Sequence, residues 1–371
     1  MKKILMISNT AWSLYNFRYG LIKTLINNGY KVEILAPFDD TVEKLKKMGC
    51  IHYDIFLDRK TKNPFKDIKL FFEYQKNIKK IKPDIILSYT IKPNIYGSIA
   101  ARKLKIPIIN NITGLGNIFN KENLTTKIVK ILYKYAFKRV NKVFFQNYDD
   151  MNLFLKNNLV NKNNVDRIPG SGVNIKKFIP MLKEKKDNKI KFILIARMLW
   201  DKGIGEYVEA AKKLKSKHNN LEFQLLGKLD YENPMAISKE QIEKWEKEGI
   251  IDYLGISQDV RNEIKEVDCV VLPSAYREGV PRTLIESAAM QKPIITTDNV
   301  GCRDIVEDGY NGFLCKVKDS NDLADKMEKF INLTEEERIK LGKNGRKKVI
   351  EEFDEKIVIE KYIEEINKIL K

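Results

Sequence analysis

Apolar runs of a few residues recur along the chain, each followed by a longer stretch with apolar positions at helical spacing. In residues 1–180 the runs Ile4–Ile7, Lys31–Leu35, Ile85–Ser88, Ile108–Ile109 and Val143–Phe145 read as buried strands. Between them Phe17–Asn27, Thr41–Met48, Asp67–Ile81 and Leu124–Arg139 read as amphipathic helices. This alternation predicts a doubly wound parallel sheet. Met181–Asn188 is polar and aperiodic, so the interdomain linker is expected there. A second set then begins, with strands Phe192–Ala196, Glu222–Leu226, Ile251–Leu254, Val270–Leu272 and Ile294–Thr297. Its helices include Ile204–Ser216 and Ser238–Glu248, and Thr334–Glu352 and Asp354–Lys371 close the chain. The expected organisation is a first domain at 1–180, a second at 189–352 and a final helix at 354–371. Two such domains are expected to face each other across a crevice lined by strand carboxyl ends, where open α/β sheets bind ligands.

Composition narrows the class. The 371 residues suffice for two cores, and 43% hydrophobic content fits a soluble globular protein. No apolar run approaches the roughly 18–20 residues that span a bilayer, and Met1–Ser8 reads as a first strand, not a signal peptide. Cys50, Cys269, Cys302 and Cys315 have no paired or metal-like spacing, so reduced thiols and a cytoplasmic setting are expected. His52 and His218 are the only histidines, which argues against a zinc site or a Ser-His-Asp hydrolase. The net charge of +18 is uneven: residues 1–180 carry +20 and residues 181–371 carry −2. An anionic partner for the first half follows: a membrane surface, a phosphorylated lipid or nucleic acid.

The candidate chemistry centres on Glu278-Gly-Val-Pro-Arg-Thr-Leu-Ile-Glu286. A buried strand feeds a loop there, Pro281 suits the first turn of a helix, and the helix runs from about Arg282 to Met290. Such a junction aims backbone N–H groups and the positive end of a helix dipole at one point, which suits phosphate. The flanking carboxylates are placed to accept hydrogen bonds from sugar hydroxyls. A nucleotide-sugar presents both chemistries.

Residues Asp268–Thr297, with Gly301–Leu314 and Ile195–Glu206, closely resemble the donor-site signatures of family 4 retaining glycosyltransferases. The resemblance implies the GT-B fold: two Rossmann-like domains, the donor held mainly by the second and the acceptor by the first, with the last helix crossing back. It places Arg197 and Lys202 on the donor's phosphates, where an Arg fork and a Lys point charge neutralise the leaving nucleoside diphosphate without a metal. It places Glu278 against the transferred sugar and Glu286 against the ribose. Backbone groups of Gly279, Val280, Pro281 and Arg282 complete the pocket, with Gly227 near the nucleotide and Ile256 level with the base. No cofactor and no metal are implied, and no catalytic base is named.

Three positions depart from the family pattern. Paired glycines are usual after the first strand, where this chain has Ser8-Asn-Thr. A first-domain histidine is usual, where this chain reads Asn111-Ile-Thr-Gly-Leu-Gly116. Gln291 stands at a customary helix-ending glycine. Tyr15–Arg18, Gly114–Gly116 and Ala196–Gly203 resemble a subgroup acting on undecaprenyl-diphosphate-linked sugars. That subgroup includes capsule and O-antigen transferases and the N-acetylgalactosaminyltransferase of bacterial N-glycan assembly. Asn9, Arg18, Thr113, Gly114 and Gly116 become the acceptor-side candidates, with Arg18 on the lipid diphosphate.

The implied activity is transfer of a hexose or N-acetylhexosamine from a UDP-sugar to a lipid-linked saccharide. The expected location is the inner face of the cytoplasmic membrane, reached through the basic first half. Leu124–Arg139 and Phe65–Lys82 both mix apolar and cationic positions at helical spacing, as an anionic leaflet requires. A nucleotide-sugar epimerase of the same architecture is the alternative enzyme. A non-specific nucleic-acid binder is the alternative from another class, although no recognition motif accompanies the charge.

Overall fold

A computed structural model describes residues 1–58, 63–119, 123–182 and 188–371. The chain divides into two compact units, Met1–Ser171 with Glu355–Lys371, and Gly172–Asp354. The expected first domain therefore ends early. Residues 172–180 belong to the second unit because Val173 donates its N–H to Phe353 O at 2.8 Å and Phe178 is buried in the second core. Most of the expected linker, residues 183–187, lies outside the described residues.

Among the described residues the first unit holds seven parallel strands: β1 Lys3–Ile7, β2 Lys31–Leu35, β3 Ile51–Tyr53, β4 Ile85–Tyr89, β5 Ile108–Ile112, β6 Lys142–Phe145 and β7 Val165–Arg167. Their order is β3-β2-β1-β4-β5-β6-β7. The central strands are buried on both faces, which is why they read as unbroken apolar runs. Short, half-exposed β3 and β7 carry no such run and escape a pattern search. The first helix starts at Ala11, six residues before its apolar periodicity becomes plain, because Thr10 caps it by accepting from Ser13 N at 3.1 Å. The closing helix Glu355–Leu370 buries Val358, Tyr362 and Ile366 in the core shared by β1, β4 and helix Ala11–Asn27.

The second unit holds β8 Ile190–Ile195, β9 Leu221–Leu226, β10 Asp252–Tyr253, β11 Cys269–Leu272, β12 Ile294–Thr297 and β13 Gly312–Cys315. Their order, β10-β9-β8-β11-β12-β13, repeats that of the first six strands, again all parallel. In each sheet the order reverses beside the first strand of the unit, where doubly wound folds place ligands. The pair β8 and β11 at that point carries the loops holding Arg197, Lys202 and Glu278.

Candidate active site

Lys202 ends a short 3-10 turn, Trp200–Lys202, in the loop after β8. That loop lies hard against the one after β11: a Cβ on Gly203, whose φ is +78°, would sit 2.1 Å from Pro273 O. Ala275 and Tyr276 donate their N–H groups to Asp201 O at 2.9 and 3.0 Å, sealing the two loops together. The result is an ion pair of 2.5 Å between Lys202 Nζ and Glu278 Oε1, with side chains 12% and 14% exposed. Ser274 Oγ donates to the same carboxylate oxygen at 3.0 Å, and the ammonium lies 4.3 Å from the Tyr276 ring centroid. Burial works to lower the pKa of Lys202, but the charge and hydrogen bond of Glu278 carry it above its ordinary value. Thr297 Oγ1 and Asn299 Nδ2 anchor the loop from β12 by donating to Ser274 O, at 2.7 and 3.1 Å.

Arg197 sits on the same rim, exposed, with Nη1 3.0 Å from Asp230 Oδ2. Burial raises the Tyr276 hydroxyl pKa, and the charges of Lys202 and Arg197 both oppose that shift.

Helix Arg282–Ala289 opens just beyond, with Pro281 as the residue before its first turn and no side chain capping it among the described residues. Pro281 was expected inside that turn; its ψ of 117° is extended, so it precedes the helix instead. Leu284, Ile285, Ala288 and Ala289 form the packed face, and Gly279, Val280 and Pro281 are buried at the helix entrance. Arg282 Nε donates to Glu286 Oε1 at 2.7 Å one turn on, with side chains 18% and 12% exposed. Burial raises the Glu286 carboxyl above its ordinary 4.5, against the pull of Arg282. Gln291, at the usual glycine position, takes up the left-handed conformation with φ +61°.

Gly227 is required by the protein itself, since a Cβ there would fall 1.7 Å from Ala196 O. Its N–H donates to Gly255 O at 2.7 Å and its carbonyl accepts from Tyr253 Oη at 2.8 Å. Those bonds fix the strand end that carries Ile256, whose side chain is exposed.

In the first unit Asn9 follows β1, and Thr113, Gly114 and Gly116 follow β5, so these candidates flank the carboxyl end of β4. Arg18 is buried on helix Ala11–Asn27. Ser274, Tyr276, Thr297, Asn299 and Asp230 were assigned no role from the sequence. Ser274, Tyr276 and Thr297 lie inside the Asp268–Thr297 stretch and Asn299 just past it, Asp230 lies outside it, and the contacts that bring them to the site are tertiary.

Two family models match the chain: "Glycosyl transferases group 1" over residues 176–348 and "Glycosyl transferase 4-like" over residues 3–147. A relative from Campylobacter jejuni, N,N'-diacetylbacillosaminyl-diphospho-undecaprenol alpha-1,3-N-acetylgalactosaminyltransferase, is 32% identical across 98% of both chains. An Escherichia coli UDP-Gal:alpha-D-GlcNAc-diphosphoundecaprenol alpha-1,3-galactosyltransferase is 28% identical over 78% of this chain and 76% of its own. Among solved structures, a glycosyltransferase from Rickettsia africae superposes with a TM-score of 0.80 at 23% identity, covering 100% of this chain and 99% of that one. The epimerase alternative gains no support from these matches.

Proposed function

The chain belongs to the group 1 glycosyl transferases and has the GT-B fold, and from that premise we propose that it moves a hexose or N-acetylhexosamine, with retention, from a UDP-sugar to an undecaprenyl-diphosphate-linked saccharide. The observation that carries the reading is the partly buried Lys202–Glu278 pair beside the start of helix Arg282–Ala289. Lys202 and Arg197 meet the diphosphate and neutralise the charge that grows on it as the glycosidic bond breaks. Glu278 accepts from a hydroxyl of the transferred sugar and Glu286 from the ribose. Ile256 offers an exposed apolar surface to the base. Two named relatives act on diphospho-undecaprenol-linked sugars, and one of them uses UDP-galactose; these names support the donor and acceptor classes.

The acceptor's lipid implies work at a membrane surface, and the first unit has a suitable exterior. Leu124, Ile128, Ile131 and Tyr135 form one exposed stripe of helix Leu124–Ala136, with Lys127, Lys134 and Lys138 alongside. Phe65, Ile68 and Phe72 do the same on helix Pro64–Ile81, among Lys66, Lys69 and Lys76. Among the described residues no helix is long and apolar enough to cross a membrane. We place the protein on an anionic inner leaflet, bound peripherally.

The test is saturation-transfer NMR with UDP-, GDP- and ADP-sugars, followed by transfer assays with a lipid-linked acceptor. Selective UDP-sugar binding that Arg197→Ala abolishes is the expected result. A folded protein that binds none of them would overturn the donor reading.

A further inference from the structure

The first unit buries a guanidinium that has no counter-ion among the described residues. Arg18 is 5% exposed, and its Cζ lies 4.8 Å from the Tyr89 ring centroid. Among the described residues no carboxylate pairs with it, and its buried Nη1 meets no hydrogen-bond acceptor. The ring face recovers only part of the desolvation cost, so a group lies there that the isolated chain does not stabilise.

The surroundings are equally unfinished. Among the described residues Asn111 Oδ1, Thr90 Oγ1 and Asn94 Oδ1 are buried without partners, while the buried Tyr89 hydroxyl faces that of Tyr362. They form a connected set. Asn111 Nδ2 donates to Tyr362 Oη at 2.9 Å, and Asn94 Nδ2 donates to Asn111 O at 2.8 Å. Tyr362 arrives on the closing helix, its ring 6.3 Å from that of Tyr89. Thr90, a β-branched residue, is held at φ +71°, and a π-helical turn follows at Pro93–Gly97. Strained threonine backbone and π-turns are both costly and concentrate where a ligand gives them purpose. Ordered water satisfies hydroxyls and amides, but it does not neutralise a guanidinium.

We propose that Arg18, Tyr89, Thr90, Asn94, Asn111 and Tyr362 form an anion pocket at the carboxyl ends of β4 and β5, built for a phosphate group. Resting on the acceptor class proposed above, that group is the diphosphate of the lipid-linked saccharide. Arg18 supplies the charge, and the hydroxyls and amides orient the oxygens and the first sugar. The pocket sacrifices stability of the empty protein for recognition.

The experiment uses the full chain saturated with UDP, so that donor-site phosphate contacts are already occupied. Farnesyl diphosphate and inorganic pyrophosphate are titrated calorimetrically into wild type, Arg18→Met and Asn111→Asp. The expected result is farnesyl diphosphate binding that weakens at least about tenfold in both variants, with UDP affinity unchanged. Arg18→Met should also melt higher than wild type when empty, by about 2 °C or more, because an unpaired buried charge is gone. A structural arginine predicts the opposite: a lower melting temperature with unchanged anion binding, which overturns the pocket. Asn111→Asp keeps the proposal falsifiable if Arg18→Met does not fold. Arg18-dependent binding of pyrophosphate equal to that of farnesyl diphosphate would overturn the lipid assignment. The two readings fail separately. Transfer with an unchanged acceptor KM in Arg18→Met rejects the pocket and leaves the transferase. Arg18-dependent farnesyl diphosphate binding without any transfer rejects the acceptor class and leaves the pocket.

Discussion

Lys202 and Glu278 each solve the other's problem: a half-desolvated ammonium and a half-desolvated carboxylate, 2.5 Å apart. Removing one partner strands the other, which costs on the order of 3 kcal/mol for a buried pair. Lys202→Ala should therefore lower stability by about that amount in urea titrations and reduce turnover by about 10² or more. Arg197→Ala, whose side chain is exposed and pairs with Asp230, should lose turnover similarly while barely changing stability. Unchanged turnover in both variants would remove them from the reaction. Glu286 carries a pH signature. Its carboxyl protonates above its ordinary 4.5, because burial outweighs Arg282. A protonated carboxyl accepts less well from a ribose hydroxyl, so UDP-sugar KM should rise as pH falls, beginning above the range of an exposed glutamate. Glu286→Gln should flatten that dependence, and a wild-type KM level down to pH 4.5 would refute it. Both glutamates were legible in the linear motif. Ser274 and Tyr276, though inside the Asp268–Thr297 stretch, and Asp230 outside it were not, because their pairing with Glu278, Lys202 and Arg197 is a side-chain contact that the motif's spacing does not specify.

Helix Leu124–Ala136 packs Thr126, Tyr133 and Ala136 inward and leaves four large apolar side chains outside. Apolar periodicity alone gave the helix but merged its two apolar faces, since a stripe bound for the core and one bound for a membrane have the same spacing. Ile128→Ser with Ile131→Ser, both exposed, should leave folding and UDP binding intact and abolish pull-down by liposomes containing anionic lipid at low salt. Retained pull-down would exclude this helix as the contact. Loss of wild-type binding at about 0.5 M salt is expected as well, since the Debye length falls well below 10 Å there. Gln291 shows the reverse situation. It takes up the left-handed backbone, with φ +61°, at the position of the family's usual glycine, and its carbonyl in turn requires glycine at 342, where a Cβ would stand 2.1 Å from Gln291 O.

Over the whole molecule the closing helix matters most, because it joins residues 355–371 to a unit that otherwise ends at Ser171. It contributes Val358, Tyr362 and Ile366 to the first core, each worth about 1.5–3 kcal/mol when buried. Deleting 355–371 should remove cooperative unfolding from the first unit, whose stability is of that same order. The second unit should persist, read from the Trp200–Trp245 pair, whose ring centroids are 5.9 Å apart. A single unfolding transition lost from both units together would contradict this. The chain's own pattern determined two parallel α/β sheets, the principal strands and helices, and a strand–loop–helix junction flanked by two glutamates. Those properties depend on local propensity, periodicity and short spacings. Only the tertiary structure decided that residues 172–180 belong to the second unit, that Gly227 is demanded by Ala196, and that Arg18 is buried with no counter-ion among the described residues. Each depends on which distant segments meet, and period and composition carry no record of that.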